Sequence, residues 1–224
     1  MAEKKFEAVQ PNLILVEGYD DQFVVQQLLA AEGITNVQVH AVGSKVNFKP
    51  FLNAERKSEG FEAIRTISLI ADADNSRESS LKELRDAFHE AKLPVPANPS
   101  EFAPGPPSVL VECIPIGRDT GALEDVILEA IEDCVGTQPC WGDIRGCLET
   151  NLPQAAKFNE ARWNKIRLQL VLNCSLRGYK TGIVYALQSS EYAGVLTAPC
   201  LASLRALLHK IQAEHHRLQE TSAT

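Results

Sequence analysis

The run Ile64 to Ala71, IRTISLIA, is apolar enough to be buried on both faces, and it ends in Asp72-Ala73-Asp74. Such a strand belongs in the middle of a parallel sheet, because helices then cover both of its sides. Its neighbours along the chain fit that placement. Asn12 to Val16 (NLILV) is a short, β-rich run closed by Glu17-Gly18, and from Asp20 the pattern turns helical, with Phe23, Val24, Leu28 and Leu29 on one face. Val37 to Val42 is a second strand ending at Gly43, followed by a loosely helical stretch carrying Phe48, Phe51 and Leu52. A helix from Ser79 to Ala91 comes after the two aspartates, and Ser108 to Ile116 (SVLVECIPI) reads as a fourth strand. Strands alternating with helices in this order make βα units on a parallel sheet, an α/β architecture.

Between Leu93 and Pro107 the sequence PVPANPSEFAPGPP holds six prolines and a glycine, which reads as an extended surface loop. From Gly121 strand-like runs become scarce and helix formers take over: Leu123 to Cys134, Asn159 to Cys174, Thr181 to Leu187 and Ala198 to Leu218. The expected organisation is an α/β domain over residues 10–120 and a helical C-terminal region over 121–220 packed on it. Trp141 and Trp163 read as packing residues. His215 and His216, adjacent on a helix, cannot face one ion together and read as surface histidines.

The formal net charge of −7 argues against wrapping DNA by electrostatics alone, since neutralising phosphates needs clustered Lys and Arg. It does not exclude a nucleic-acid enzyme, because bound divalent ions would invert the local field around acidic ligands. The basic residues Arg162, Lys165, Arg167, Arg177 and Lys180 either track a phosphate backbone or solvate a helix face. No apolar run approaches the roughly 18 residues that cross a bilayer, so a cytoplasmic protein without membrane contact is expected. The six cysteines lack any C-x-x-C pair and read as reduced thiols, not as a disulfide framework or zinc site. A homo-oligomer is compatible with all of this.

Ligands of open parallel sheets sit outside the carboxyl ends of the strands. Glu17 ends the first strand there, and Asp72 and Asp74 end the third. Carboxylates held together need a counter-charge, and a hard cation such as magnesium supplies it. Gly18 would let the backbone approach closely. Asp20 and Asp21 could equally cap the helix they precede, Asp72 and Asp74 could form a turn or cap, and Glu124 and Asp125 lie where first-turn acids are ordinary.

The run LILVEGYDD, Leu13 to Asp21, followed by IADAD, Ile70 to Asp74, resembles the Toprim domain of primases, topoisomerases and OLD-type nucleases. With GALEDVILEAI, Gly121 to Ile131, and a helical end, it is most similar to stand-alone OLD-like Toprim proteins of bacteria. That resemblance implies a Rossmann-like Toprim domain, with a parallel four-stranded sheet flanked by helices. It implies a metal and acid/base role for Glu17, and metal ligation by Asp21, Asp72, Asp74 and Glu124, with Asp125 a less certain neighbour of that set. It implies a catalytic lysine, matched by Lys180 with Lys165 as the alternative. The implied activity is two-metal hydrolysis of DNA or RNA phosphodiesters with Mg2+ or Mn2+, in antiviral defence or repair. OLD-like domains are often joined to an ATPase, and no G-x-x-x-x-G-K-[ST] loop occurs here, so a separate ATPase partner is implied. Where topoisomerases place a glycine after D-x-D, this chain has Asn75, Ser76 and Arg77. A non-catalytic Toprim-like module that binds metal, nucleic acid or protein is the alternative.

Overall fold

The computed structural model describes residues 6–135, 141–152, 154–175, 183, 187 and 194–222. Two compact units divide the chain, one of residues 1–120 with 203–224 and one of residues 121–202. The last helix, which the sequence grouped with the helical region, therefore counts with the first unit.

The first unit is an α/β layer structure. Strands β1 (Asn12–Val16), β2 (Val37–Ala41), β3 (Thr66–Asp72) and β4 (Ser108–Ile114) form one parallel sheet in the order β2-β1-β3-β4. Helix α1 (Tyr19–Ala31) follows β1, α2 (Phe48–Glu55) follows β2, and α3 (Arg77–Glu90) follows β3. Alternate strand residues Leu13, Leu15, Ile67, Leu69, Ala71, Val109 and Val111 pack in one core with Leu52 of α2 and Leu81, Leu84 and Phe88 of α3. The intervening residues Ile14, Val16, Ile70, Leu110 and Ile114 are also buried. Burial on both faces is what the near-continuous apolar strands demand.

The proline-rich segment departs from the expected free surface loop. It folds back along β4, the edge strand: Ser100 N donates to Val111 O at 3.0 Å, and Ala103 and Val109 exchange backbone hydrogen bonds at 2.8 and 3.0 Å. Prolines cannot donate to a ladder, but the residues between them can, and an open edge offers the acceptors. Arg85 of α3 fastens the segment further, donating to Pro96 O at 3.0 Å and Ala97 O at 3.1 Å.

The C-terminal helix α7 (Ala202–Ser222) buries Leu204, Leu207, Leu208, Ile211 and His215, a stripe at helical spacing. His215 corrects the surface expectation: it lies four residues after Ile211 on the buried face and is 5% exposed, while His216 is exposed. Glu32 beyond α1 binds this helix through His209 Nε2 at 2.7 Å and Arg205 Nε at 3.6 Å. No helix among the described residues is long and apolar enough to cross a membrane.

The second unit contains α4 (Leu123–Val135), α5 (Trp141–Asn151) and α6 (Glu160–Ser175). Trp163 is buried and meets Trp141 and Phe158 edge-on, with ring centroids 6.1 and 5.5 Å apart. Helix α5 is absent from the sequence reading because Gly142 and Gly146 weaken its local helical signal. The expected helix Thr181 to Leu187 lies largely outside the described residues, of which Ile183 and Leu187 are buried.

Candidate functional site

Strand β3 ends at Asp72, and its ladder to β4 is prolonged by one bond, from Ala73 N to Ile114 O at 2.8 Å. Ala73 is wholly buried and its carbonyl accepts from Ser76 N at 3.1 Å and from Ser80 Oγ at 3.1 Å. The residue between the two aspartates is thus a pinned pivot. Asp74 turns away from it with φ +51°, in the left-handed region that Asp and Asn tolerate better than other side chains. Ser76 then caps α3, accepting from Ser79 N at 3.2 Å. Of the turn-or-cap reading of the two aspartates, the cap falls to Ser76, while Asp74 sits inside the turn that the Ser76 N to Ala73 O bond closes.

Glu17 lies one residue past the Val16–Ile70 pair, at the same end of the adjacent strand, and one of its carboxylate oxygens is shielded from solvent. Its carbonyl accepts from Gly43 N at 2.7 Å, which carries the β1–β2 pairing one step beyond both strands. Gly43 has φ +92°, a conformation that suits glycine and sends the chain over the end of the sheet toward Lys45. The Asp21 carboxylate accepts from Gly18 N at 2.7 Å, and a Cβ on Gly18 would sit 3.2 Å from that same oxygen. The glycine therefore makes room for a protein carboxylate.

Two cations, neither singled out by the sequence, stand among these acids. Lys45 Nζ lies 2.5 Å from Asp74 Oδ2 and 2.7 Å from Ser80 Oγ. Arg77, the first residue of α3, donates to Glu112 at 2.5 Å and to Cys113 O at 3.1 Å. Glu112 on β4 is buried and also accepts from Cys113 N at 2.6 Å and from Ser100 Oγ. Burial pushes the Cys113 thiol up to about 12; Arg77 and Lys45 pull it down, and Glu112 and Asp72 push it up. One thiol at the end of β4 therefore feels both cations and two of the acids. Lys45 lies four residues past the end of β2, beyond the turn at Gly43, so the rule that selected Glu17 and Asp72, position at the very end of a strand, does not reach it. Arg77 and Glu112 carry no such signal, since Glu112 lies inside an apolar strand.

Among the described residues, no three His, Cys, Asp or Glu side chains stand together as a ready-formed cation site. Glu17, Asp72 and Asp74 share one end of neighbouring strands, with Asp74 held by an ammonium. Glu124 belongs to the second unit, where it pairs with Lys165 at 3.0 Å. Asp125 beside it accepts from Ala122 N at 2.8 Å and from Asn164 Nδ2 at 2.9 Å, a helix-start role. Arg167 pairs with Glu132, and Arg162 lies over the Phe158 ring at 4.2 Å. The described part of the basic series thus answers neighbours within its own unit. Lys180 and Arg177 lie outside the described residues.

The profile of the family described as "Protein of unknown function (DUF3226)" matches residues 11–182. The chain belongs to the DUF3226 family. The DUF3226 match begins at β1 and runs past α6, so it takes in the sheet, the D-x-D turn and the helices of the second unit. No curated protein matches. Among solved structures the chain is similar to the C-terminal region of the Xanthomonas campestris pv. campestris OLD protein, at 15% identity and a TM-score of 0.42, over 95% of this chain and 97% of that one. It is also similar to the C-terminal region of the Burkholderia pseudomallei OLD protein, at 15% identity and a TM-score of 0.41, over 92% and 100% of the two chains.

Proposed function

We propose that this protein is a Toprim-type, metal-dependent nuclease whose centre lies at the carboxyl end of the β1–β3 pair. The observation that carries the reading is the D-x-D turn: a pinned Ala73, a left-handed Asp74, and a cation already seated on the Asp74 carboxylate. The donor set is all carboxylate oxygen, the chemistry that magnesium and manganese take. The lysine ammonium is a monovalent stand-in at one of those carboxylates. Glu17, Asp72 and Asp74 would hold the ion, and Asp21 would join them while one of its oxygens still accepts from Gly18 N. Such ions supply Lewis acidity toward a phosphodiester and a nucleophilic water at neutral pH.

The chain's own contribution is to fix where charge is compensated. Asp72 is fixed by the β3–β4 ladder, and Glu17 by the backbone pairing to Gly43. Preorganised carboxylates need no rearrangement of the backbone when phosphate charge develops, which is where electrostatic catalysis gains most. The substrate is a DNA or RNA strand. A separately encoded ATPase partner and a role in defence or repair extend the same reading.

The test is plasmid nicking with magnesium or manganese by wild type, Glu17→Ala and Asp72→Ala. Loss of cleavage in both variants is expected; cleavage equal to wild type would sink the assignment. A second reading, a Toprim-like module that binds without cleaving, is favoured by the protein partners that Asp74 and Asp21 already have. Calorimetric metal binding by a wild type that never nicks would decide for it.

A further inference from the structure

The edge strand of a sheet presents a row of N–H and C=O groups along its outer side, with which a strand of another chain can pair. Strand β4 is at such an edge: β3 flanks it on one side, and its sequence SVLVECI has no proline or lysine to discourage pairing on the other. Yet all seven of its residues are buried. The proline-rich segment 94–107 supplies the cover. Ala103 exchanges both backbone bonds with Val109, at 2.8 and 3.0 Å, and Ser100 N donates to Val111 O at 3.0 Å. Three side chains hold the segment there: Arg85 of α3 through Pro96 O and Ala97 O, Lys210 of α7 through Ser100 O at 2.5 Å, and Glu112 of β4 itself through Ser100 Oγ. Six of the fourteen residues in the segment are prolines. Having no N–H to offer, they keep the segment from becoming a fifth strand whose own outer edge would pair onward.

We infer that segment 94–107 is the guard of the β4 edge, and that what it excludes is β4 of a second copy of this chain. The occupant follows from symmetry. Two identical edges pair antiparallel about a twofold axis, each offering the other the same N–H and C=O groups, and an isologous contact of this kind closes at a dimer. Charge does not oppose the pairing, because Glu112, the one charged residue of β4, is buried against Arg77. The segment thus sets the oligomeric state of the chain besides connecting α3 to β4. The inference is independent of the metal-dependent reading above.

The full chain would be compared with two guard variants. Ala103→Pro deletes the N–H given to Val109. Arg85→Met combined with Lys210→Met removes three fastening bonds, leaves the segment's own residues intact, and covers the case in which the proline variant fails to fold. Arg56→Met, which deletes a bond of the same kind to Ala91 O at the end of α3, is the control. At the lowest concentration, amide hydrogen exchange should show protection of Val109 falling roughly fivefold for each bond lost. Light scattering over a concentration series should then find a species of twice the wild-type mass in both guard variants, with Val109 protected again, and none in Arg56→Met. Val109 freed without a gain in mass overturns the guard, and so does a doubling in Arg56→Met. Unchanged Val109 protection in both guard variants overturns it as well, because the named bonds would then not hold the segment.

Discussion

Arg77 and Glu112 form an ion pair 2.5 Å long that ties the first turn of α3 to the edge strand β4, with Glu112 only 1% exposed. The carboxylate has further donors in Cys113 N and Ser100 Oγ, and Arg77 also bonds the Cys113 carbonyl. Breaking a buried pair from one side strands a charge, which costs about 3–5 kcal/mol, whereas replacing both partners by apolar groups is often neutral. Arg77→Met should therefore lower stability on that scale in urea unfolding. Arg77→Met with Glu112→Leu should recover most of the loss. No recovery would mean that the pair is valued for something other than charge compensation.

Asp21 separates two roles cleanly. Its carboxylate accepts from Gly18 N at the start of α1. As a cap alone, Asp21→Ala should cost about 1 kcal/mol of stability and leave manganese affinity unchanged. A fall in affinity under calorimetry would put Asp21 among the ligands.

The cysteines should differ sharply in reactivity. Cys113 is buried with its thiol pushed up to about 12, while Cys134 and Cys147 are exposed. The thiolate is the reacting species, so iodoacetamide at pH 8 should label Cys134 and Cys147 and spare Cys113 in the native protein. Peptide mass spectrometry reads the pattern; labelling of Cys113 before unfolding would contradict its placement.

Burial, with His216 and Arg65 adding to it, holds the His215 pKa below the usual histidine value, and its buried Nδ1 has no hydrogen-bond partner among the described residues. Burial shifts His40 the same way. The unfolded chain then takes up the proton first, so stability is full above about pH 6.5 and is lost as pH falls below it. Urea midpoints at pH 7.5 and 5.5 should differ less in His215→Gln than in wild type.

The placement of Glu17 and Asp72 at the carboxyl end of the sheet was legible because it obeys a positional rule. Glu17 and Asp72 announce themselves as acids directly after apolar strands, and strand alternation fixed the parallel sheet in advance. Lys45 was hidden by being a single lysine four residues past β2, after a Gly-Ser turn, where the rule does not reach. Glu112 was hidden by its own strand, where a carboxylate is tolerable only once Arg77, Ser100 and Cys113 N surround it. The proline segment misled for a related reason: prolines mark a break in regular structure but do not say which strand edge the intervening residues will pair with.

The sequence by itself determined the α/β order, the strands buried on both faces, and which acids follow the strands, because these depend on local periodicity and turn chemistry. Only the tertiary structure decided which charges meet: Lys45 with Asp74 across 29 positions, and Arg77 with Glu112 across 35. Pairing at such separations is set by strand order and by the turns at the sheet's carboxyl end, and no local pattern encodes that arrangement.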